Sequence, residues 1–218
     1  MSLFEGRELL CVRGERPVFS GLSFALDRGG LLLLTGRNGS GKSSLLRLMA
    51  GLIEPRSGTL DWDGKPVAGR LDAHHRRLHY LGHRDAVKPA LTVLENLSFW
   101  SRLDTGGSDE LTVRRALADF RLDALAEIPA RMLSEGQRRR LALARLQASS
   151  ATLWLLDEPT TALDRDSTAA FFSALARHVA SGGMAAVATH AEDGFPQSAR
   201  LDLDSFAVAA KDYWDRVA

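Results

Sequence analysis

The sequence has little cysteine, little lysine and no long apolar run. Cys11 is its only cysteine, so an internal disulfide is impossible, and we expect a reducing compartment rather than a disulfide-bonded secreted scaffold. No segment approaches the roughly 20 apolar residues that span a bilayer, and Met1 to Gly30 is too charged for a signal peptide. We therefore expect a cytosolic chain that works at a membrane only through another protein.

An excess of charge of one sign is also lacking. The 28 Lys and Arg residues nearly balance the 27 Asp and Glu residues, and the formal net charge is +1. No global field then attracts nucleic acid or an anionic membrane. The chain has 218 residues, of which 45% are hydrophobic and 25% charged, as is typical of one globular domain with a sizeable core.

Three short apolar runs predict strands that are buried on both faces. They cover residues 31–34, 153–156 and 185–189. Helical spacing of apolar residues follows the first run from Lys42 onward, and a helix is predicted between the other two, over 167–181. This alternation of strand and helix indicates a parallel sheet.

The remaining segments have different periods. Residues 58–66 alternate apolar and polar side chains before an Asp-Gly turn, which is typical of an antiparallel hairpin. Residues 91–146 follow a helical period. We predict a single α/β domain whose core and β layer comprise residues 1–84 and 148–218, with an all-helical subdomain inserted at 85–147.

A glycine-rich loop separates the first strand from its helix. The loop fits the pattern G-x-x-x-x-G-K-[ST], in which backbone amides and a helix N-terminus converge on phosphate oxygens. Lys42 would reach the β and γ phosphates, and the Ser43 hydroxyl would bind Mg²⁺. The alternative is a turn that merely joins strand to helix. The candidate nucleotide-binding residues here are Gly36, Arg37, Asn38, Gly39, Ser40, Gly41, Lys42, Ser43 and Ser44.

Two adjacent carboxylates end the second buried strand. Because strand alternation points neighbours to different sides, Asp157 could face Mg²⁺ while Glu158 faces an attacking water. Such a pair is also common in solvated turns. Its position downstream of a phosphate-binding loop favours the catalytic interpretation.

A third motif precedes the last part of the helical insertion. The motif reads Leu133, Ser134, Glu135, Gly136 and Gln137. Ser134 and Gln137 have the spacing of a helix capping box, and a capped helix start with a nearby glycine can bind an anion. A capping box alone is usually only the beginning of a helix.

These motifs together resemble the ATP-binding cassette ATPases, the nucleotide-binding subunits of ABC transporters. The matching segments are the P-loop at 36–43, the LSEGQ signature at 133–137, the Walker B strand at 153–158, the D-loop containing Asp164, and the switch residue His190. The resemblance implies an α/β P-loop NTPase with a RecA-like parallel-sheet core, an antiparallel β layer and an inserted helical subdomain. It also implies ATP and Mg²⁺ as ligands, and catalysis by Glu158 and His190.

The same resemblance implies two kinds of protein partner. In this family two copies sandwich ATP head to tail, so that the signature of one copy closes over the P-loop of the other. Integral membrane transporter subunits are the second partner. The alternatives are a soluble ABC-type ATPase acting on nucleic acid or ribosomes, and a small-molecule P-loop kinase. A long coiled-coil insertion or a second cassette would favour the soluble ATPase, and the absence of a signature would favour the kinase. We expect no nucleic-acid partner.

Nearly the whole chain is similar to a narrower group, the ATP-binding subunits of the haem exporters of bacterial cytochrome c maturation. Residues 8–24, Leu81-Gly82-His83 and residues 91–97 carry this similarity. It implies a peripheral subunit on the cytoplasmic face of the inner membrane. Another small ABC exporter is the alternative. Direct haem binding is not expected, although His74, His75, His79 and His83 are close in sequence.

Two positions depart from the family pattern. Arg13 stands where cassettes usually carry an aromatic residue that stacks on adenine, and a guanidinium plane can also stack on a base. Arg84 replaces the Q-loop glutamine, and arginine has no acceptor to offer Mg²⁺. We expect Arg84 to point away from the metal, toward an acidic group of a membrane subunit or the γ-phosphate; a solvated arginine is the alternative. For Arg138, Arg139 and Arg140 we expect a solvated helix face.

Overall fold

The computed structural model describes residues 3–105, 109–190 and 194–208. Its strands are β1 (Phe4–Arg13), β2 (Arg16–Leu26), β3 (Leu31–Thr35), β4 (Ser57–Trp62), β5 (Lys65–Pro66), β6 (Leu78–Leu81), β7 (Leu153–Asp157), β8 (Met184–Ala188) and β9 (Ala199–Asp202). Its α-helices are α1 (Lys42–Met49), α2 (Leu71–His75), α3 (Val93–Thr105), α4 (Glu110–Asp119), α5 (Glu135–Gln147) and α6 (Arg165–Ala180).

A parallel sheet forms the centre of the molecule, as the apolar runs predict. Its strand order is β6-β7-β8-β3-β9, and each neighbouring pair is parallel. Every residue of β7 and β8 is buried, because helices or the second sheet cover both faces. All carboxyl ends of these strands therefore lie along one edge.

The second sheet is antiparallel and has the order β2-β1-β4-β5. The predicted hairpin is confirmed, since Asp61 pairs with Pro66 and Trp62 with Lys65. Strands β1 and β2 extend this layer beyond the hairpin. The predicted α/β architecture with an added antiparallel layer is thereby confirmed.

Helices α3, α4 and α5 lie between β6 and β7 in the chain and contact one another. Asp109 caps α4 by accepting hydrogen bonds from the amides of Leu111 and Thr112 at 3.2 Å each. The inserted helical segment is thus present, while its exact limits at 85 and 147 stay a prediction. Residues 209–218 of the predicted core lie outside the described residues.

The two faces of the parallel sheet belong to separate parts of the core. Leu31 and Leu33 pack with Phe171 of α6 and with the helical insertion. Leu32 and Leu34 pack with α1 and with the antiparallel sheet, because successive strand side chains point to opposite faces. No helix in the described part of the chain is long and apolar enough to cross a membrane.

Candidate functional site

The carboxyl edge of the parallel sheet holds most of the predicted site. The loop after β3, the carboxylates that end β7 and His190 after β8 line one open cleft of about 710 Å³. Since β7, β8 and β3 are neighbours in the sheet, their carboxyl ends bring these segments together although they are far apart in sequence. Ligands of open parallel sheets bind at this kind of edge.

The glycine-rich loop adopts backbone conformations that favour glycine. The φ angles of Gly36, Gly39 and Gly41 are 124°, 83° and 105°, all in the region that L side chains rarely adopt. A Cβ on Gly41 would also lie 2.6 Å from Cγ1 of Val18. The loop therefore passes close to the antiparallel layer at Gly41.

Lys42 is the first residue of α1 and is 8% exposed. Its Nζ donates to the carbonyl oxygens of Gly36 at 2.6 Å and Arg37 at 3.2 Å. The ammonium thus lies inside the loop, next to the N-terminus of a helix, where a phosphate would meet both charges.

Glu158 and His190 lie close together on the cleft wall. The Nε2 atom of His190 is 3.6 Å from Oε1 of Glu158, and the two side chains are 50% and 27% exposed. Asp157 is 6% exposed. The strand ends at Asp157, and Glu158 has a left-handed φ of 48°, so this turn rather than strand alternation separates the two carboxylates.

Most of the predicted loop residues line one or both of two neighbouring cavities, and Asn38 and Gly39 line both. Asn38, Gly39, Gly41, Lys42, Ser43 and Ser44 line the cleft with Asp157, Glu158 and His190. Arg37 and Ser40 line a neighbouring cavity of about 530 Å³, together with Arg13 and Arg16 from the β1–β2 turn. Arg13 therefore lies beside the loop but outside the cleft lining, and its stacking on a base stays a prediction.

The signature residues lie away from the chain's own cleft. Ser134 caps α5 by accepting from the Gln137 amide at 3.2 Å, and the Gln137 side chain accepts from the Ser134 amide at 2.8 Å. The predicted capping box is confirmed. Ser134 and Glu135 are exposed, so the start of α5 is open to another molecule.

Asp164 of the D-loop caps α6 and does not line the cleft. Its carboxylate accepts from the Ser167 amide at 2.7 Å. Hydrogen bonds from the side chain and then the backbone of Ser167 hold the pKa of Asp164 below its ordinary value. The neighbouring Ala162 lies next to the signature, because a Cβ on Gly136 would be 3.2 Å from its carbonyl oxygen.

His83, which sequence reasoning missed, lines the cleft beside Ser43 and Glu158. Arg84 is exposed and lies outside that lining. The signal for His83 was its place after β6, whose carboxyl end borders the site. An imidazole nitrogen can accept a hydrogen bond or bind a metal, so His83 offers what Arg84 lacks.

The arginines after the signature do not form a uniform solvated face. Arg138 is exposed and Arg140 is partly buried, but Arg139 is only 6% exposed. The expectation is wrong for Arg139, because its guanidinium forms an ion pair of 2.9 Å with Asp85. That contact crosses more than fifty residues of sequence, and the local sequence gave no signal of it.

Comparison with known proteins identifies the family of this chain. A sequence profile of the ABC transporter family matches residues 19–161. The chain therefore belongs to the ABC transporter family, as an ATP-hydrolysing subunit. The ATP-binding subunit of an ABC transporter has a similar structure, with a TM-score of 0.79, 25% identity and coverage of 87% of this chain and 80% of that one. A dimeric ATP-binding cassette bound to ADP and Pi shares the fold, with a TM-score of 0.78, 23% identity and coverage of 88% and 89%.

Within this family the chain is similar to proteins named cytochrome c biogenesis ATP-binding export protein CcmA. The Rhodospirillum rubrum protein is 56% identical over 206 residues, which are 94% of this chain and 88% of that protein. The Paramagnetospirillum magneticum protein is 53% identical, over 95% of this chain and 97% of its own length. The Escherichia coli K12 protein is 44% identical, over 87% and 90%.

Proposed function

We propose that this chain is the ATP-hydrolysing subunit of a complex that exports haem for the biogenesis of c-type cytochromes. It would work as a peripheral subunit on the cytoplasmic face of the bacterial inner membrane. The observation that carries the proposal is the joint presence of Lys42, Glu158 and His190 at one cleft in a chain 56% identical to a cytochrome c biogenesis ATP-binding export protein.

The loop after β3 fits a nucleoside triphosphate. Its glycines would let the backbone approach phosphate oxygens closely, and Lys42 adds a positive charge beside the N-terminus of α1. The hydroxyl of Ser40 is buried without a hydrogen-bond partner among the described residues. It could therefore donate a hydrogen bond to a phosphate oxygen of the ligand. Ser43 and Asp157 would hold Mg²⁺, which offsets negative charge on the phosphate oxygens.

Glu158 would accept the proton of the attacking water. Its side chain is 27% exposed on the wall of the cleft, so water can reach the carboxylate and transfer a proton to it. His190 lies 3.6 Å away and would orient Glu158 while its ring contacts the γ-phosphate. In this arrangement Asp157 would help to hold the metal and Glu158 would activate the water.

A second copy of the chain would complete each site. The exposed start of α5 at Ser134 offers backbone amides and a hydroxyl for a γ-phosphate, yet the signature lies outside the chain's own cleft. A head-to-tail pairing would place Ser134 and Gly136 of one copy over Lys42 of the other. Asp164 would contribute to the same interface.

Cytochrome production in a bacterium tests the haem-export proposal. The strain would lack its own ATP-binding export subunit and carry this chain with its genomic membrane neighbours. Wild type should restore covalent haem in periplasmic cytochromes, and Lys42→Ala at equal abundance should not. The chain should also sediment with membranes only when those neighbours are present. If ATP hydrolysis and sedimentation were retained without cytochrome recovery, the haem assignment would be wrong.

Mixed variants test the shared site. Lys42→Ala and Ser134→Arg each inactivate both sites of a pure dimer, whereas a mixed dimer has both lesions at one site and leaves the other intact. Mixing the two purified proteins should therefore restore part of the ATPase activity. Full activity of a strictly monomeric preparation would contradict the pairing.

A further inference from the structure

The buried guanidinium of Arg139 joins three segments of the ATPase. It lies in the second turn of α5, and its Nη1 donates to Gly82 O at 3.3 Å and to Asp85 Oδ1 at 2.9 Å. Its Nη2 donates to Asp157 O at 3.0 Å and to Glu158 O at 2.5 Å. One side chain thus connects the signature helix, the Q-loop and the end of the catalytic strand.

The hydrogen bond from Arg139 helps to hold Glu158 in an unusual backbone conformation. Glu158 has a φ of 48°, which is unfavourable for a residue with a side chain and is maintained only where its surroundings hold it. Three hydrogen bonds do so. The Glu158 amide donates to Ala188 O at 2.9 Å, the Thr161 amide donates to Glu158 O at 3.3 Å, and Arg139 donates to the same carbonyl oxygen. Because φ and ψ set the direction of Cβ, these bonds orient the carboxylate toward the cleft.

The other end of the connection belongs to the helical insertion. Arg145, also in α5, donates to Asp85 O at 3.2 Å, and its guanidinium lies 3.8 Å from the ring centre of Trp100 in α3. The Lys88 amide donates to Asn96 Oδ1 at 2.8 Å, and Asn96 donates back to Lys88 O at 3.0 Å. Residues 85–88, at the start of the insertion, are therefore attached to α5 at one end and to α3 at the other.

The geometry points to Arg139 as a positioning residue that links the orientation of the helical insertion to the catalytic carboxylate of Glu158. We propose that a rotation of α5 moves the guanidinium and shifts the Glu158 peptide, so that water activation depends on how a partner holds the insertion. This inference rests on the proposed ATPase mechanism. Arginine suits the role because its planar fork donates in two directions at once, which a lysine ammonium on a single stem cannot reproduce.

Steady-state hydrolysis of Mg·ATP by purified variants tests the role directly. Arg139→Gln removes the charge and the guanidinium's second donor nitrogen. A displacement of a catalytic group by about 1 Å can lower the rate by about 100-fold. We expect kcat to fall by about 10-fold to 100-fold while ATP affinity, measured by titration, changes by less than about 2-fold. Arg139→Lys should recover only part of the loss. Arg114→Gln is the control, because it breaks an exposed ion pair of 2.8 Å with Glu110 in the same insertion.

A double-variant cycle separates this role from general damage. If Arg139 acts through Glu158, Arg139→Gln should lower hydrolysis much less in a Glu158→Gln background than in wild type. Equal losses in both backgrounds, or a loss of ATP affinity as large as the loss of kcat, would overturn the inference. Normal turnover by Glu158→Gln alone would instead refute the proposed mechanism, so the two failures are distinguishable.

Asp85→Asn gives a second test, because it leaves the hydrogen bonds from Arg139 to Asp157 O and Glu158 O in place. It keeps the shape of Asp85 and removes the ion pair with Arg139. In the complex with its membrane subunits, we expect this variant to retain basal hydrolysis and lose at least about half of the partner stimulation. Stimulation equal to wild type would show that Asp85 does not transmit the motion and would overturn the link to the insertion.

Discussion

Replacing Gly41 by alanine probes the shape of the phosphate-binding loop. The new Cβ would lie 2.6 Å from Val18 Cγ1 and 3.0 Å from Phe19 Cδ1, and the residue has a φ of 105°. The left-handed backbone costs about 1–2 kcal/mol for a residue with a Cβ. Overpacking in a close-packed site costs about 1–3 kcal/mol more. We therefore expect Gly41→Ala to lower the free energy of unfolding by about 2–5 kcal/mol.

Gly39→Ala is the matched control for that prediction. Gly39 lies in the same loop with a φ of 83°, and no described atom lies within 4 Å of its Cβ position. Gly39→Ala should therefore lower the free energy of unfolding by only about 1–2 kcal/mol, the cost of the left-handed backbone alone. Urea unfolding of both variants measures the difference. Equal losses in the two would show that the contact with Val18 and Phe19 is not what requires glycine at position 41.

Three further predictions concern the Q-loop and the core. His83→Ala should lower kcat more than ATP affinity, because His83 lines the cleft; unchanged kcat would remove it from the site. Arg84→Ala should leave ATP affinity unchanged and weaken stimulation by the membrane subunits, which paired ATPase assays would detect. Burial lowers the pKa of His74, so the unfolded chain holds the proton more tightly and stability should fall as the pH drops below about 6.5. Urea unfolding from about pH 7.5 to about pH 5.5 should show a smaller fall for His74→Gln.

The parallel sheet could be predicted because its strands are simple. Strands buried on both faces have continuous apolar sequences, as in residues 31–34 and 153–156, and turn signals mark their ends. β1 and β2 were not predicted. Their pairing contains register shifts between Gly6 and Leu9 and between Leu9 and Cys11, and such bulges interrupt the period of two on which sequence reasoning depends.

Phosphate binding by the glycine-rich loop is also predictable from local sequence. The residues that bind phosphate are consecutive, and Lys42 follows its glycines directly. Arg139 and the left-handed turn at Glu158 could not be inferred, because each depends on a contact between distant segments. Arg139 is buried only because Gly82, Asp85 and Asp157 approach it from other elements, and a sequence that reads Arg-Arg-Arg on a helix resembles a solvated face.

Turnover and nucleotide binding of Glu158→Gln test the central claim most directly. Glutamine keeps the size of the side chain and cannot accept the proton of water, and a general base contributes about 100-fold to 10,000-fold to the rate. The account predicts that ATP binds with near wild-type affinity, that hydrolysis falls by at least about 100-fold, and that the protein accumulates as an ATP-dependent dimer. Hydrolysis at the wild-type rate would contradict it.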